Sequence, residues 1–294
     1  MLRLGAHMSI AGGFDKAVER AKAVDSDALQ IFTKNQNQWR ARPIADDEVV
    51  RFKAALDEHQ IGPVVAHDSY LINLASPKDD LWEKSIAAFR EELERCELLG
   101  VPFLVTHPGS HTGSGTEAGI ARVIDALDRI HSDMPGLTVV TLLETTAGQG
   151  SNLGSTFEEL KAMLDGVKQP ERVAVCLDTC HIFVAGYDIG SPEAYAETMD
   201  AFDRLLGIDK IEALHFNDAK QPLGSKKDRH HLIGHGHIGI AGFWNFMNDE
   251  RLRGKPALLE TEKGDDLAED REAITLLRAQ IGAPCPPLAA TTVG

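Results

Sequence analysis

Short apolar runs alternate with longer amphipathic segments along almost the whole chain. The runs are LRLGA (2–6), ALQIF (28–32), PVVAH (63–67), PFLVTH (102–107), LTVVTLLE (137–144), RVAVCLD (172–178), KIEALH (210–215) and KPALLE (255–260). Between them, FDKAVERAKAV, DLWEKSIAAFREELERCELLG, EAGIARVIDALDRIH and STFEELKAMLDGV carry a helical pattern. Ser155 with Glu158 three positions on has the form of a capping box, and Gly100 closes a long helical pattern as a C-terminal stop does. Eight strand-then-helix units in 294 residues predict a parallel sheet closed into a (β/α)8 TIM barrel, a single α/β domain over residues 1–282. The runner-up is an open doubly wound sheet, but no G-x-G-x-x-G follows the first strand. The insert 217–239, rich in His, Lys, Gly and Asp, is long for a compact domain and is marked as functional. Residues 283–294 read as a disordered tail.

The strand ends carry the chemistry. Strand 1 ends at His7 and strand 2 runs into Thr33-Lys34-Asn35; the next six end at His67, His107, Glu144, Asp178, His215 and Glu260. A β/α barrel gathers these ends on one face, where active sites sit. Side-chain parity puts Val65, Val105, Leu142 and Cys176, each two residues earlier, inside the barrel as apolar layers below that rim. His181 follows Asp178 by three residues, and Asp228 and His230 in the insert face one way if the loop is extended. The set His67, His107, Glu144, Asp178, His181, His215, Asp228, His230 and Glu260 is nine nitrogen and oxygen donors without a thiolate. That suits Zn²⁺, Mn²⁺ or Fe²⁺, and a cluster of two or three ions rather than one tetrahedral site. A single histidine at a strand end is more often a structural hydrogen-bonder; six consecutive strand ends are not a coincidence of that kind. His59 and His131 lie in helical segments and read as surface histidines, while His111, His231, His235 and His237 stay open between metal support and solvated loop. EELERCE reads as a solvated helix face with Cys96 turned to the core; in CLDTCH, Cys176 reads as a core packer and Cys180 as facing away from the ligands.

Composition changes this picture little. The chain is 43% hydrophobic and 26% charged, an ordinary globular mixture. No run approaches the ~20 apolar residues of a membrane helix. MLRLGAHMSI lacks a signal peptide's long apolar stretch, so a cytoplasmic location is expected. The cysteines Cys96, Cys176, Cys180 and Cys285 are too scattered for a disulfide framework. The net charge of −15 argues against nucleic acid unless the local field differs from the total. Lys34, Arg40, Lys220, Lys226, Lys227 and Arg229 are the expected contributors to a locally positive face.

The motifs GAHMSIAGG (5–13), FTKNQNQWR (32–40), AHDSYLINLAS (66–76), THPGS (106–110), LLETTAGQG (142–150), CLDTCHIFVAGYD (176–188), LHFNDAK (214–220), DRHHLIGHGHIG (228–239) and LLETEK (258–263) together resemble endonuclease IV, the trinuclear-zinc apurinic/apyrimidinic endonuclease family of DNA base-excision repair. The resemblance runs from about residue 2 to about residue 280. It implies three zinc ions, with Mn²⁺ or Fe²⁺ as possible substitutes. His67, His107 and Glu144 would hold the first; Glu144 would bridge to the second, held also by Asp178, His215 and Glu260; His181, Asp228 and His230 would hold the third. It also implies hydrolysis of the phosphodiester 5′ of an abasic nucleotide in duplex DNA, with 3′-hydroxyl and 5′-deoxyribose phosphate products, and trimming of blocked 3′ ends. Asn35, Asn37 and Gln38, with Tyr70 and Leu71, resemble the segments that enter the minor groove beside the lesion; core packing is the competing reading for Leu71 and for Trp39 nearby. Two positions depart from the family: Asn37, where some members carry a basic residue, and His235, where others are often acidic. A monomer with no obligate protein partner and no membrane partner is expected.

Two other classes compete. A sugar isomerase or epimerase barrel also places His, Asp and Glu at strand ends, usually around one or two ions, so a metal count separates it. A barrel that binds damaged DNA without cutting it is disfavoured by the complete donor set.

Overall fold

The computed structural model describes residues 1–288. The apolar runs form the strands β1 (Arg3–His7), β2 (Ala28–Phe32), β3 (Val64–His67), β4 (Phe103–Thr106), β5 (Val140–Glu144), β6 (Val173–Asp178), β7 (Ile211–Phe216) and, after two short strands, β10 (Pro256–Leu259). They pair in parallel around a closed barrel in the order β1-β10-β7-β6-β5-β4-β3-β2, the expected TIM barrel. The helices α1 (Phe14–Ala23), α2 (Asp46–His59), α3 (Asp79–Leu99), α4 (Thr116–Asp133), α5 (Phe157–Gly166), α6 (Thr179–Ala185), α7 (Pro192–Leu206), α8 (Gly239–Met247) and α9 (Ala268–Arg278) cover it. None is long and apolar enough to cross a membrane.

Strand parity builds two cores. Outward residues such as Val64, Ala66, Leu104, Leu143, Val175, Leu177 and Leu214 pack under the helices. Inward residues Ala28, Val65, Val105, Leu142, Ala174, Cys176, Ala213 and Leu258 fill the barrel as a separate apolar plug. The next inward position on most strands is polar, so the plug is the floor of the rim. Close packing has a local requirement at Gly5, where a Cβ would lie 2.3 Å from the Ala28 carbonyl oxygen.

Several expectations shift. The cap of α5 is Thr156, whose hydroxyl accepts from Glu159 N at 3.2 Å, one residue beyond the expected Ser155–Glu158 pair. Glu159 reaches back to the N–H groups of Gly154 and Ser155, so the reciprocal logic holds in the shifted register. Gly100 ends α3 in the left-handed conformation, φ 73°, as expected. His131 is fully buried, not at the surface: α4 turns it inward, its Nε2 lying 3.4 Å from Thr141 Oγ1. Burial, with the Arg172 charge adding, pulls its pKa down to about 4. Within the insert 217–239, β8 (Asp218–Ala219) and β9 (His230–His231) pair antiparallel. Residues 283–288 carry no helix or strand, and the Ala283 carbonyl accepts from Trp244 Nε1 at 2.7 Å. The rest of the expected tail, 289–294, lies outside the described residues.

Candidate metal centre

The C-terminal rim brings all nine predicted donors together. His67, His107 and Glu144 form one group, Glu144, Asp178, His215 and Glu260 a second, and Asp178, His181 and His230 a third, the donor atoms of each lying within 4.8 Å of one another. Asp228 joins His230 in a further group of the same kind.

Glu144 stands between two groups. Its Oε2 is 3.1 Å from His67 Nε2 and 3.1 Å from His107 Nε2, whereas its Oε1 is 2.9 Å from His215 Nδ1. His215 Nδ1 is also 3.2 Å from Glu260 Oε2. Asp178 Oδ2 continues the chain, 3.9 Å from His215 Nδ1 and 3.8 Å from His230 Nε2. Asp228 closes it, with Oδ2 3.2 Å from His181 Nε2 and Oδ1 3.3 Å from His230 Nε2.

The far nitrogen of several imidazoles sets the tautomer. His67 Nδ1 faces the Asp68 carbonyl at 2.9 Å, and His181 Nδ1 faces the Thr145 carbonyl at 2.8 Å. His215 Nε2 faces Gln30 Oε1 at 2.8 Å. Each of these oxygens can only accept, so the proton sits on that side and the other nitrogen presents a lone pair to the carboxylates. A lone pair and a carboxylate oxygen near 3 Å repel unless a cation lies between them. Two donors on one tetrahedral ion at the usual bond lengths are about 3.3 Å apart, which these separations match. His181 Nε2 and His230 Nε2 are buried and have no hydrogen-bond partner among the described residues, which a metal ion would supply. The donor set therefore fits divalent metal ions.

Protons are the competing cations. Burial disfavours charged imidazole, yet the Glu144 carboxylate beside it raises His67 to about 9. His215 and His181 are likewise driven up against their burial. Burial would raise Glu144, but His215 and His107 hold it well below the usual carboxylate range. Asp178 moves up, because burial prevails and Glu144 adds repulsion.

The CLDTCH segment differs in detail from its reading. Asp178 and His181 are joined by the first turn of α6: Asp178 is the N-cap, and its Oδ1 accepts from His181 N at 2.8 Å. One carboxylate thus fixes the helix that carries His181 and points its second oxygen at the rim. Cys176 is in the barrel plug as expected. Cys180 does not face away: its thiol lies 3.7 Å from the Arg229 carbonyl oxygen, grouped with Asp228 and His230.

Sequence reasoning missed the residues that orient the donors. Gln30 accepts from His215 and donates to Glu260 Oε1 at 2.6 Å. Asn217 donates to Asp178 Oδ2 at 2.7 Å and accepts from Glu260 N at 3.0 Å. Asp218, fully buried, accepts from the N–H groups of Gly234, Gly236 and Ile238, each at 3.0 Å, and so shapes the insert carrying Asp228 and His230. The signal for Gln30 was present: it is the one polar side chain in ALQIF and has inward parity. Of the open histidines, His111 Nδ1 accepts from Gly115 N at 3.1 Å, a loop role, and His235 and His237 are exposed. His231 Nδ1 accepts from Leu232 N at 2.8 Å.

Asn35, Asn37 and Gln38 are exposed on the loop after β2. Tyr70, 59% exposed, stacks over His107 with ring centroids 6.4 Å apart and meets Phe32 edge-on at 5.5 Å. It overhangs the first donor group. Leu71 is half-buried beside it, and Trp39 is half-buried with Lys84 Nζ 4.1 Å above its ring. Lys34 is not part of a basic surface: it is buried, 3.4 Å from Glu92 Oε1. Glu92 and Arg95 are buried too, so EELERCE is not a solvated face.

A family model described as a xylose isomerase-like TIM barrel matches residues 18–280. The same fold, at 16% identity and TM-score 0.71, is seen in a D-tagatose 3-epimerase-like protein. Barrel and rim define a protein of this barrel class whose strand ends gather groups that could hold metal ions. Probable endonuclease 4 of Chloroflexus aurantiacus is 51% identical over 281 residues, covering 96% of this chain and 99% of that one; its counterpart in Trichlorobacter lovleyi is 49% identical over 276 residues, covering 94% and 98%. Endonuclease IV from Thermus thermophilus superposes with TM-score 0.83 at 37% identity, covering 95% and 99%. The chain belongs to the endonuclease IV family of DNA-cleaving hydrolases.

Proposed function

We propose that this protein is a zinc-dependent repair endonuclease that hydrolyses the phosphodiester 5′ of abasic sites in duplex DNA. It leaves a 3′-hydroxyl and a 5′-deoxyribose phosphate, trims blocked 3′ ends, and works as a cytoplasmic monomer without an obligate protein partner. The observation that carries the reading is the Glu144 carboxylate, with one oxygen directed to each of two donor groups and a third group adjoining through Asp178.

His67, His107 and Glu144 would hold one ion, Glu144, Asp178, His215 and Glu260 a second, and His181, Asp228 and His230 a third. The ions would supply Lewis acidity, making a water acidic enough to deprotonate near neutral pH and neutralising charge at the phosphate. The chain's own residues set the geometry for that chemistry. Asp68, Thr145 and Gln30 fix the imidazole tautomers. Tyr70 roofs the first donor group and would exclude water beside the bound sugar. Asn35, Asn37, Gln38 and Leu71 would read the minor groove at the gap. An abasic nucleotide is the favoured substrate because flipping it breaks no base pair.

The test is incubation with a duplex bearing a single abasic analogue, with and without a strong chelator, beside a zinc count by mass spectrometry. Chelator-sensitive incision 5′ of the lesion and about three zinc ions per chain are expected. One or two ions and no incision would favour the epimerase class.

A further inference from the structure

We propose that one face of α3 is a brace that holds the loop 33–42 in its DNA-reading shape before DNA arrives, with Arg95 as the positioning residue. This rests on the reading of Asn35, Asn37 and Gln38 as minor-groove contacts.

The brace is built from Lys84, Glu91, Glu92 and Arg95, which the helical repeat places on one face. The Arg95 guanidinium grips both ends of the loop: Nε donates to the Thr33 carbonyl at 3.2 Å and Nη1 to the Arg42 carbonyl at 2.9 Å. Glu92 accepts from Thr33 Oγ1 at 2.5 Å and pairs with Lys34, whose Nζ donates to the Trp39 carbonyl at 3.3 Å. Glu91 accepts from Ala41 N at 3.3 Å, and Lys84 covers the Trp39 ring. The loop's own main chain adds little, a bond from Gln38 N to the Asn35 carbonyl at 3.1 Å. A further tie links it to the second candidate DNA segment, Ser69 Oγ donating to the Gln36 carbonyl at 2.6 Å.

A buried ionic network is a poor source of stability, since desolvation offsets the attraction. Its defining property here is direction. Lys34, Glu92 and Arg95 are all at most 9% exposed, yet their hydrogen bonds go mainly to loop carbonyls and a loop hydroxyl. Such a network fixes backbone shape. A loop ordered in advance does not lose its freedom on binding, so the gain appears in substrate affinity rather than in the chemical step.

Arg95→Lys keeps the charge and removes the fork. On a duplex with one abasic analogue, KM should rise about tenfold while kcat stays within about twofold. Zinc content and the rate on bis-para-nitrophenyl phosphate should match wild type, which shows the barrel and rim intact. Hydrogen exchange of residues 33–42 in the DNA-free protein should speed up. An unchanged KM, or a fall in kcat with KM unaltered, in a variant with normal zinc content would overturn the brace alone. Wild-type protein inert on the abasic duplex would overturn the endonuclease reading and the brace with it.

Discussion

Asn217 is the most informative single position, because its side chain bonds to two candidate ligands. Its amide donates to Asp178 Oδ2 at 2.7 Å, the oxygen that faces both His215 and His230. Its carbonyl accepts from the main-chain N–H of Glu260 at 3.0 Å. Asn217→Ala therefore removes one of the two hydrogen bonds that hold the Asp178 carboxylate, the other coming from His181 N, and leaves the partly buried Glu260 N–H unpaired. A hydrogen bond to a charged group contributes about 1.5–3 kcal/mol, which is roughly a 10- to 150-fold change in an equilibrium constant. Removal of partners that orient metal ligands costs about 10- to 100-fold in metal affinity, the same range. The unpaired N–H, being partly buried, should cost a further ~1 kcal/mol of folding stability in chelated protein.

The assay is zinc retention in buffers of defined free zinc, read by mass spectrometry, with urea unfolding of the chelated protein alongside. The expected variant is folded and loses one or two ions at zinc levels where wild type keeps all. A folded Asn217→Ala protein with zinc affinity within twofold of wild type would falsify the claim that the amide orients the ligand.

Glu144→Ala should abolish turnover and remove the link between two donor groups; near-wild-type incision of an abasic duplex would refute the bridging role. In metal-free protein His67 is raised from 6.5 to about 9, so its stabilising contribution is full below pH 6.5 and disappears as pH rises through about 9. An ion must displace that proton, so zinc affinity measured across this window should tighten with pH, and a flat profile would count against His67 as a ligand. His131 has the opposite sign: its pKa falls from 6.5 to about 4, so the stability it contributes is present above pH 6.5 and lost towards pH 4, about 3 kcal/mol in all. His131→Gln should flatten that acid limb in urea titrations of chelated protein. Chelated protein should also lose affinity for an uncleavable abasic duplex by gel shift; binding within twofold of the loaded protein at equal salt would refute a field set by the ions.

The barrel and donor set were legible because both follow from short-range rules. A strand of period two under an apolar plug leaves only its last inward side chain free, and there His67, His107, Glu144, Asp178, His215 and Glu260 stand. What supports them was hidden because the partners are remote in sequence: Gln30 meets His215 across 185 positions. The α3 face was misread for a related reason. Glu91, Glu92 and Arg95 have the charge pattern of a solvated helix, and only the position of loop 33–42 turns that face inward. His131 was misread as a surface residue although it shares the helical face of Val123 and Leu127, which packs inward.

The charge of the chain remains to be squared with a polyanionic substrate. Lys34 is committed to Glu92, and Lys220 Nζ is 3.6 Å from Glu262, so basic side chains do not by themselves dominate the rim. Arg40, Lys226, Lys227 and Arg229 are exposed around it, but the rim's centre holds the carboxylates of Glu144, Asp178, Asp228 and Glu260. Three divalent ions would set about six positive charges against those four negative ones and reverse the local sign. The four rim carboxylates are a small part of the 45 acidic residues, but they are the ones placed to gather cations, and so they can reverse the sign of the field at the rim. The net charge of −15 sums the whole chain and says little about the local field at the rim.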